Sequence, residues 1–341
     1  MKYSIIIPHH NVPGLLKRCL ASIPQRADLE VIVVDDKSDD SIITELHSIC
    51  DSRQNTQLLL LSENRGGGGA RNEGLKHAQG DFLLFADADD FFNYCINDIL
   101  DEYKNTTNDL VFFRANCVDS ETYCIDSRTQ HLNAYIDQWM SNRKESEINL
   151  RYMFGEPWCK LIRKSVVISH DIKFDTTRRN NDTTFSYLVG YFSKNISVDQ
   201  RCLYCYTTGR NSVSKQSSVS DYFTMVDVFG RSQLFFDSKG IKLTETRQYL
   251  ALYHLIRELK IDNFLEGVEK LVEQGYKRNR VYDSFARAVA KNSILSSLWC
   301  SWYVPSFYGR ILCFRYLLTM ALPKFIKEKI FRMSNNEIKR W

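Results

Sequence analysis

The chain has 341 residues, 44% of them hydrophobic, which is enough for a sizeable core in one large domain or two smaller ones and excludes a disordered chain. Its formal charge of +4 is small but uneven, because a basic stretch from Trp299 onward sits on a slightly acidic remainder. The ten cysteines are scattered, and the lone close pair, Cys202-x-x-Cys205, has no second pair with which to build a zinc site.

Four short apolar runs, residues 4–8, 31–35, 57–62 and 82–86, end in polar or glycine-rich signals and read as buried strands. Between them Leu15, Leu16, Cys19, Leu20 and Ile23 recur at helical spacing, as do Ile42, Ile43, Leu46 and Ile49. A third helix is predicted from near Ala70 to Gly80. This rhythm predicts an α/β domain with a mostly parallel sheet flanked by helices, and such sheets bind ligands beyond the carboxyl ends of their strands. That rule selects Pro8, His9, His10 and Asn11, then Asp35 and Asp36, then residues 64–71, then Asp87, Asp89 and Asp90.

From 109 to about 206 the pattern predicts continuing sheet with loops, including strands at 110–113 and 197–206. Past Ser220 it turns helical, with Leu250, Leu252, Leu255 and Ile256 followed by Phe264, Val268, Leu271 and Val272. The expected division is therefore an α/β domain over 1–215 and a helical region over 216–341. In the tail, residues 299–333 interleave Trp299, Trp302, Tyr303, Phe307, Phe314 and Phe325 with basic side chains. Such a mix suits a helix lying on an anionic lipid surface rather than nucleic acid, the alternatives being a helical cap or a dimer partner. The apolar run at 311–322 is interrupted by Arg315, and no stretch of roughly 20 apolar residues exists to span a membrane. With no leader preceding the first strand, a cytoplasmic protein with reduced thiols is expected.

Three constellations carry chemistry. Asp87-Ala88-Asp89-Asp90 follows a buried strand, and side chains alternate along extended chain, so Asp87 and Asp89 can converge on one ligand. A Mg2+ or Mn2+ ion bound by one or two carboxylates completes its shell with phosphates; a solvated turn, or a helix cap by Asp90, is the structural alternative. At the second strand's end Asp35 or Asp36 can accept bonds from a ribose or base, while Ser38 or Asp39 caps the next helix. The loop Asn64-Arg65-Gly66-Gly67-Gly68-Gly69-Ala70-Arg71-Asn72 fails the dinucleotide fingerprint, because neither register of its glycines meets Gly or Ala at the third position, and it follows the third strand rather than the first. A nicotinamide oxidoreductase is thereby disfavoured. The glycines would let backbone approach a phosphate, with Arg71 as a forked donor, or would form a flexible turn. Farther on, Asp182 precedes a helical pattern, where a cap is the reading the residues favour and a general base the alternative.

Taken together, Ser4-Ile5-Ile6-Ile7-Pro8-His9-His10-Asn11, Val31-Ile32-Val33-Val34-Asp35-Asp36, Asn64-Arg65-Gly66 with Ala70-Arg71-Asn72-Glu73-Gly74, and Phe85-Ala86-Asp87-Ala88-Asp89-Asp90 resemble the family 2 glycosyltransferases, inverting enzymes of the GT-A fold, and in particular their bacterial surface-polysaccharide branch. The resemblance covers the first 215 or so residues. It implies a nucleotide-diphosphate sugar donor, UDP-linked, whose binding involves Pro8, His10, Asn11, Asp35, Asp36, Arg71, Asp87 and Ala88. It implies a Mn2+ or Mg2+ cofactor on Asp89 and Asp87, and Asp182 as the base. Pro157-Trp158-Cys159-Lys160 resembles the acceptor-side segment, with Trp158 and Lys160 facing a saccharide or lipid-linked acceptor. Asn181 stands where the family has Glu before the Asp, and His10 where it commonly has Tyr. Two further readings remain: an inactive sugar-nucleotide binding protein, against which the retained acids argue, and a sugar nucleotidyltransferase, which would carry its glycine-rich basic loop after the first strand.

Overall fold

The computed structural model describes residues 1–209, 218–243, 247–258 and 261–292. They fall into two compact units, Met1–Gln216 and Ser217–Trp341. The first opens with β1 (Tyr3–His9), α1 (Pro13–Ala21), β2 (Leu29–Asp35), α2 (Asp40–Asp51), β3 (Thr56–Leu60), α3 (Gly66–His77) and β4 (Phe82–Phe85). β1, β2 and β4 bury nearly every residue, as strands covered on both faces must. Pro13 opens α1, where its missing N–H is an orphan position in any case.

The unit continues with β5 (Phe91–Phe92), α4 (Ile96–Glu102), β6 (Leu110–Asp119), α5 (Gln130–Ser141), α6 (Arg143–Met153), β7 (Lys160–Arg163), α7 (Lys164–Ser169), α8 (Thr183–Phe192) and β8 (Ile196–Thr208). One sheet holds all eight strands in the order β3-β2-β1-β4-β7-β6-β8-β5. Its first four strands are parallel; β7 runs antiparallel to β4 and β6, β8 is parallel to β6, and β5 is antiparallel to β8. In register, His9 lies opposite Asp35 and Asp35 opposite Leu60, while the Ala86 N–H reaches the Ile6 carbonyl at 3.2 Å. The carboxyl ends of β2, β1 and β4 therefore lie side by side, and Asp36 and the acid turn after β4 share one edge of the sheet.

Two expectations change. The stretch 109–206 is not continuous sheet: α5, α6, α7 and α8 lie within it. α5 buries Leu132, Ile136 and Trp139, a helical stripe too sparse among polar neighbours to stand out. Helix α3 begins at Gly66 rather than Ala70, although glycine is the worst ordinary helix former. Packing overrides propensity there: a Cβ on Gly68 would lie 1.9 Å from the Asp175 carbonyl oxygen, and one on Gly69 2.4 Å from the Arg65 Cβ.

The second unit contains α9 (Val219–Ser238), α10 (Arg247–Glu258), α11 (Ile261–Glu273) and α12 (Arg278–Asn292). These helices bury a core of their own that includes Val226, Leu252, Phe264, Val268, Leu271 and Phe285. Ser218 and Asp221 start α9 with a reciprocal capping box. Among the described residues no helix is long and apolar enough to cross a membrane, and the eight cysteines are all free thiols. The basic aromatic segment 299–333, with the apolar run 311–322, lies outside the described residues.

Candidate active site

At the ends of β1 and β2 the two adjacent aspartates do different work. The carboxylate of Asp35 is buried and engaged on both oxygens: it takes the Ser38 N–H at 2.9 Å, the Ser38 hydroxyl, and His9 Nδ1 at 2.8 Å. His9 Nε2 accepts the Val12 N–H at 3.1 Å, so the ring is the neutral tautomer with its hydrogen on Nδ1. Within the fold Asp35 ties two loops together. Asp36 is buried too, but only its Oδ1 is engaged, by the Arg65 N–H at 2.6 Å, and no described residue donates to the other oxygen.

His10 is exposed beside it, with Nδ1 donating to the Asp36 carbonyl at 3.0 Å. Asn11, in the left-handed region at φ 55°, receives the Asp39 N–H on its side chain at 2.9 Å. Pro8, the last residue but one of β1, is half-buried. Asp39 occupies the cap position of α2 without a side-chain cap bond.

The turn after β4 carries the other acids. The Arg71 guanidinium, 7% exposed on α3, pairs through Nη2 with Asp87 and through Nη1, at 3.1 Å, with the Asn181 side-chain oxygen, and lies over the Phe174 ring. Its Nε is buried without a hydrogen-bond partner. Asp89 keeps contact with solvent, and no other residue donates to its carboxylate among those described. Desolvation, and then the charge of Asp87, raise its carboxyl to about 6 although the residue as a whole is exposed. Burial pushes Asp90 far above the usual carboxylate range, with Asp89 and Asp87 adding to the effect. Ala88 is buried between them. Crowded, hard carboxylate oxygens of this kind suit a divalent cation. Among the described residues no three His, Cys, Asp or Glu side chains gather around one point, so waters or phosphate oxygens would have to complete its shell.

The segment 156–182 supplies the third side. Asp182 stands immediately before α8, yet its side chain makes no cap bond, which corrects the capping expectation. Burial, then the charge of Glu156, push its carboxyl up to about 6, while Arg71 opposes the shift. Glu156 is half-buried, and desolvation raises its carboxyl, but the His131 ring 3.6 Å away, its own backbone N–H and the charge of Lys160 together outweigh this and leave it below the usual value. Lys160 is 2% exposed, its Nζ donates to the Phe154 carbonyl at 2.6 Å, and burial pushes its ammonium down to about 7. Trp158 is 6% exposed, its ring stacked on Tyr204 at 5.1 Å and on Tyr206 at 5.7 Å.

The structure thus brings Arg71, Asp87 and Asn181 into one hydrogen-bonded group beside Asp182, and sets Asp36, Asp87 and Asp89 along one sheet edge. Sequence reasoning did not single out Arg18, Tyr204 or Thr207. Tyr204 takes the Asp87 N–H at 2.8 Å, and Arg18 and the Thr207 hydroxyl reach the Asp89 carbonyl. These partners lie 71 to 118 residues from the acids they hold, beyond any motif.

An arginine-backed acid turn at the carboxyl edge of a doubly wound sheet defines an α/β domain built for an anionic ligand. The profile of glycosyl transferase family 2 matches residues 4–170, just under half of the chain. The poly(ribitol-phosphate) beta-glucosyltransferase of Bacillus spizizenii is 40% identical over 96 residues, 27% of this chain and 15% of that protein. The poly(ribitol-phosphate) beta-N-acetylglucosaminyltransferase TarS of Staphylococcus aureus is 27% identical over 241 residues, 66% of this chain and 39% of that protein. The chain thus spans well under half the length of either curated relative. The crystal structure of S. aureus TarS 1-349 in complex with UDP-GlcNAc superposes with a TM-score of 0.57 at 19% identity, over 97% of this chain and 92% of that one. The fold is of the GT-A type.

Proposed function

We propose that this chain is an inverting glycosyltransferase that moves a sugar from a UDP-linked donor to a hydroxyl of a saccharide or lipid-linked acceptor in cell-surface polymer synthesis. The observation that carries the proposal is the group Asp87–Arg71–Asn181, with the unspent carboxylate of Asp182 next to it. The family match and the UDP-GlcNAc bound to the TarS neighbour support the same reading.

In this reading Asp36 faces the base and ribose, and Arg71 faces the diphosphate. Transfer breaks the bond from the anomeric carbon to the phosphate oxygen as the acceptor oxygen attacks from the opposite side. Arg71 stabilises the negative charge that gathers on the departing diphosphate. Asp182 takes the proton of the attacking hydroxyl, a task suited to a carboxyl near 6. A Mn2+ or Mg2+ ion would be held by Asp87 and Asp89 and would supply further positive charge to the leaving group. In place of the family's usual Glu, Asn181 gives Arg71 an uncharged acceptor, so Asp87 is the carboxylate hydrogen-bonded to the guanidinium.

The test is a panel of nucleotide sugars incubated with the protein, acceptor saccharides and Mn2+. UDP release that depends on acceptor and is abolished by chelation supports the proposal. Pyrophosphate release would move the assignment to a nucleotidyltransferase, and tight UDP binding without turnover to a sugar-nucleotide binding protein. The basic aromatic residues 299–333 complete the proposal with peripheral attachment to the inner face of the cell membrane, which would bring the site near a lipid-linked acceptor.

A further inference from the structure

The acid turn is held from β8. The Asp87 N–H donates to the Tyr204 hydroxyl oxygen at 2.8 Å, and that hydroxyl gives its single hydrogen to Asp90 Oδ2 at 3.0 Å. The other Asp90 oxygen takes the Thr207 N–H at 2.7 Å. Within the turn the Asp90 N–H closes onto the Asp87 carbonyl at 3.0 Å. One phenol therefore bridges the first residue of the turn to the last. Its ring is fully buried, with Phe92 edge-on at 5.3 Å and Trp158 stacked at 5.1 Å and 14°, so it has no room to swing.

We propose that Tyr204 is a positioning residue for the carboxylates of Asp87 and Asp89, and that Trp158 acts on the same turn through Tyr204 rather than on the acceptor. The proposal rests on the reading of Asp87 and Asp89 as ligands of the metal and diphosphate. Its physical basis is that two side chains one residue apart converge on a ligand only while the backbone between them is fixed. The hydroxyl of Tyr204, donor and acceptor at once, fixes both ends. Trp158 belongs to the segment that faces the acceptor in the family resemblance, yet its ring spends its surface on Tyr204 and Tyr206. The segment that leads into β7 is thus packed directly onto the residue that holds the donor-side acids.

The experiment uses the full chain and two variants, Tyr204→Phe and Trp158→Phe. The first keeps the ring stack and removes the hydroxyl, leaving the Asp87 N–H and Asp90 without their partner. UDP with Mn2+ is titrated calorimetrically, amide exchange is followed over residues 86–90, and donor and acceptor KM are measured separately. Tyr204→Phe is expected to weaken UDP·Mn2+ binding about tenfold or more, because the turn that presents Asp87 and Asp89 is no longer held at either end. It should also speed exchange over 86–90 and raise the donor KM with the acceptor KM unmoved. Trp158→Phe should shift the same quantities in the same direction by less. Unchanged exchange and binding in Tyr204→Phe, or a Trp158→Phe effect confined to acceptor KM, would overturn the proposal. If the unaltered protein bound no UDP, the donor-site reading would fall by itself, and amide exchange would still decide whether Tyr204 holds the turn.

Discussion

Asp182 concentrates the residue-scale question. A carboxylate just ahead of a helix ordinarily folds back to receive a first-turn N–H, and this one does not. Leaving it uncapped beside Glu156 forfeits stability, and the group is held near neutrality as a result. Asp182→Asn is expected to lower kcat by about 100- to 10,000-fold, the usual worth of general-base assistance, while calorimetric UDP affinity stays as it was. Only the ionised carboxyl can accept a proton, and burial places its pKa at about 6. Transfer should therefore be complete well above that pH and be lost as pH falls through it, which a kcat/KM profile would register. A profile flat from about pH 5 to about pH 8, a range that brackets a carboxyl near 6, would remove Asp182 from the mechanism.

At the scale of elements, α3 decides whether Arg71 reaches the site. Its glycine-rich first turn packs against the loop ahead of α8, where the Asp175 N–H bonds the Asn181 carbonyl at 2.9 Å. Gly68→Ala would drive a methyl into the Asp175 carbonyl oxygen, a rigid backbone atom 1.9 Å from the new carbon. A loss of about 1–3 kcal/mol in urea unfolding is expected, the cost of overpacking, together with weaker UDP binding as Arg71 is displaced. Gly14 in α1 is the contrast: nothing lies within 4 Å of its added carbon. Gly14→Ala should stabilise by about 0.5–1 kcal/mol, since glycine in a helix forfeits that much in entropy. Equal effects at the two positions would mean that propensity rather than packing governs α3.

At the scale of the molecule, the two hydrophobic cores draw on separate parts of the chain, the first from Tyr3 to Tyr204 and the second from Tyr222 to Ala288. Cores that share no residue are the usual mark of units able to fold apart. A chain ending at Gln216 is expected to unfold in one cooperative transition and to keep UDP affinity, while losing co-sedimentation with anionic liposomes that the full chain retains. Loss of UDP binding on truncation would assign part of the donor site to the second unit. Liposome binding unaffected by truncation would remove the membrane role from residues 299–333.

Apolar runs at 4–8, 31–35 and 82–86, alternating with helical patterns, read as covered parallel strands, and the ligand-edge rule for such sheets then put Asp36, Asp87 and Asp89 at one edge from sequence alone. It also determined which acids and which arginine are candidates, because motif residues sit at fixed offsets from strand ends. Tertiary structure alone decided how each is used. Asp35 and Asp36 are neighbours in the chain, yet His9 and Ser38 engage one and leave the other an open oxygen. Lys160, expected on the acceptor side, is packed against Phe154 and Phe112. Tyr204 is 117 residues from the Asp87 amide it holds, a pairing created when β8 packs beside β6 and comes level with the acid turn. Periodicity and spacing report a residue's local geometry, whereas hydrogen-bond satisfaction and burial depend on which distant segments arrive, and only the folded chain brings them.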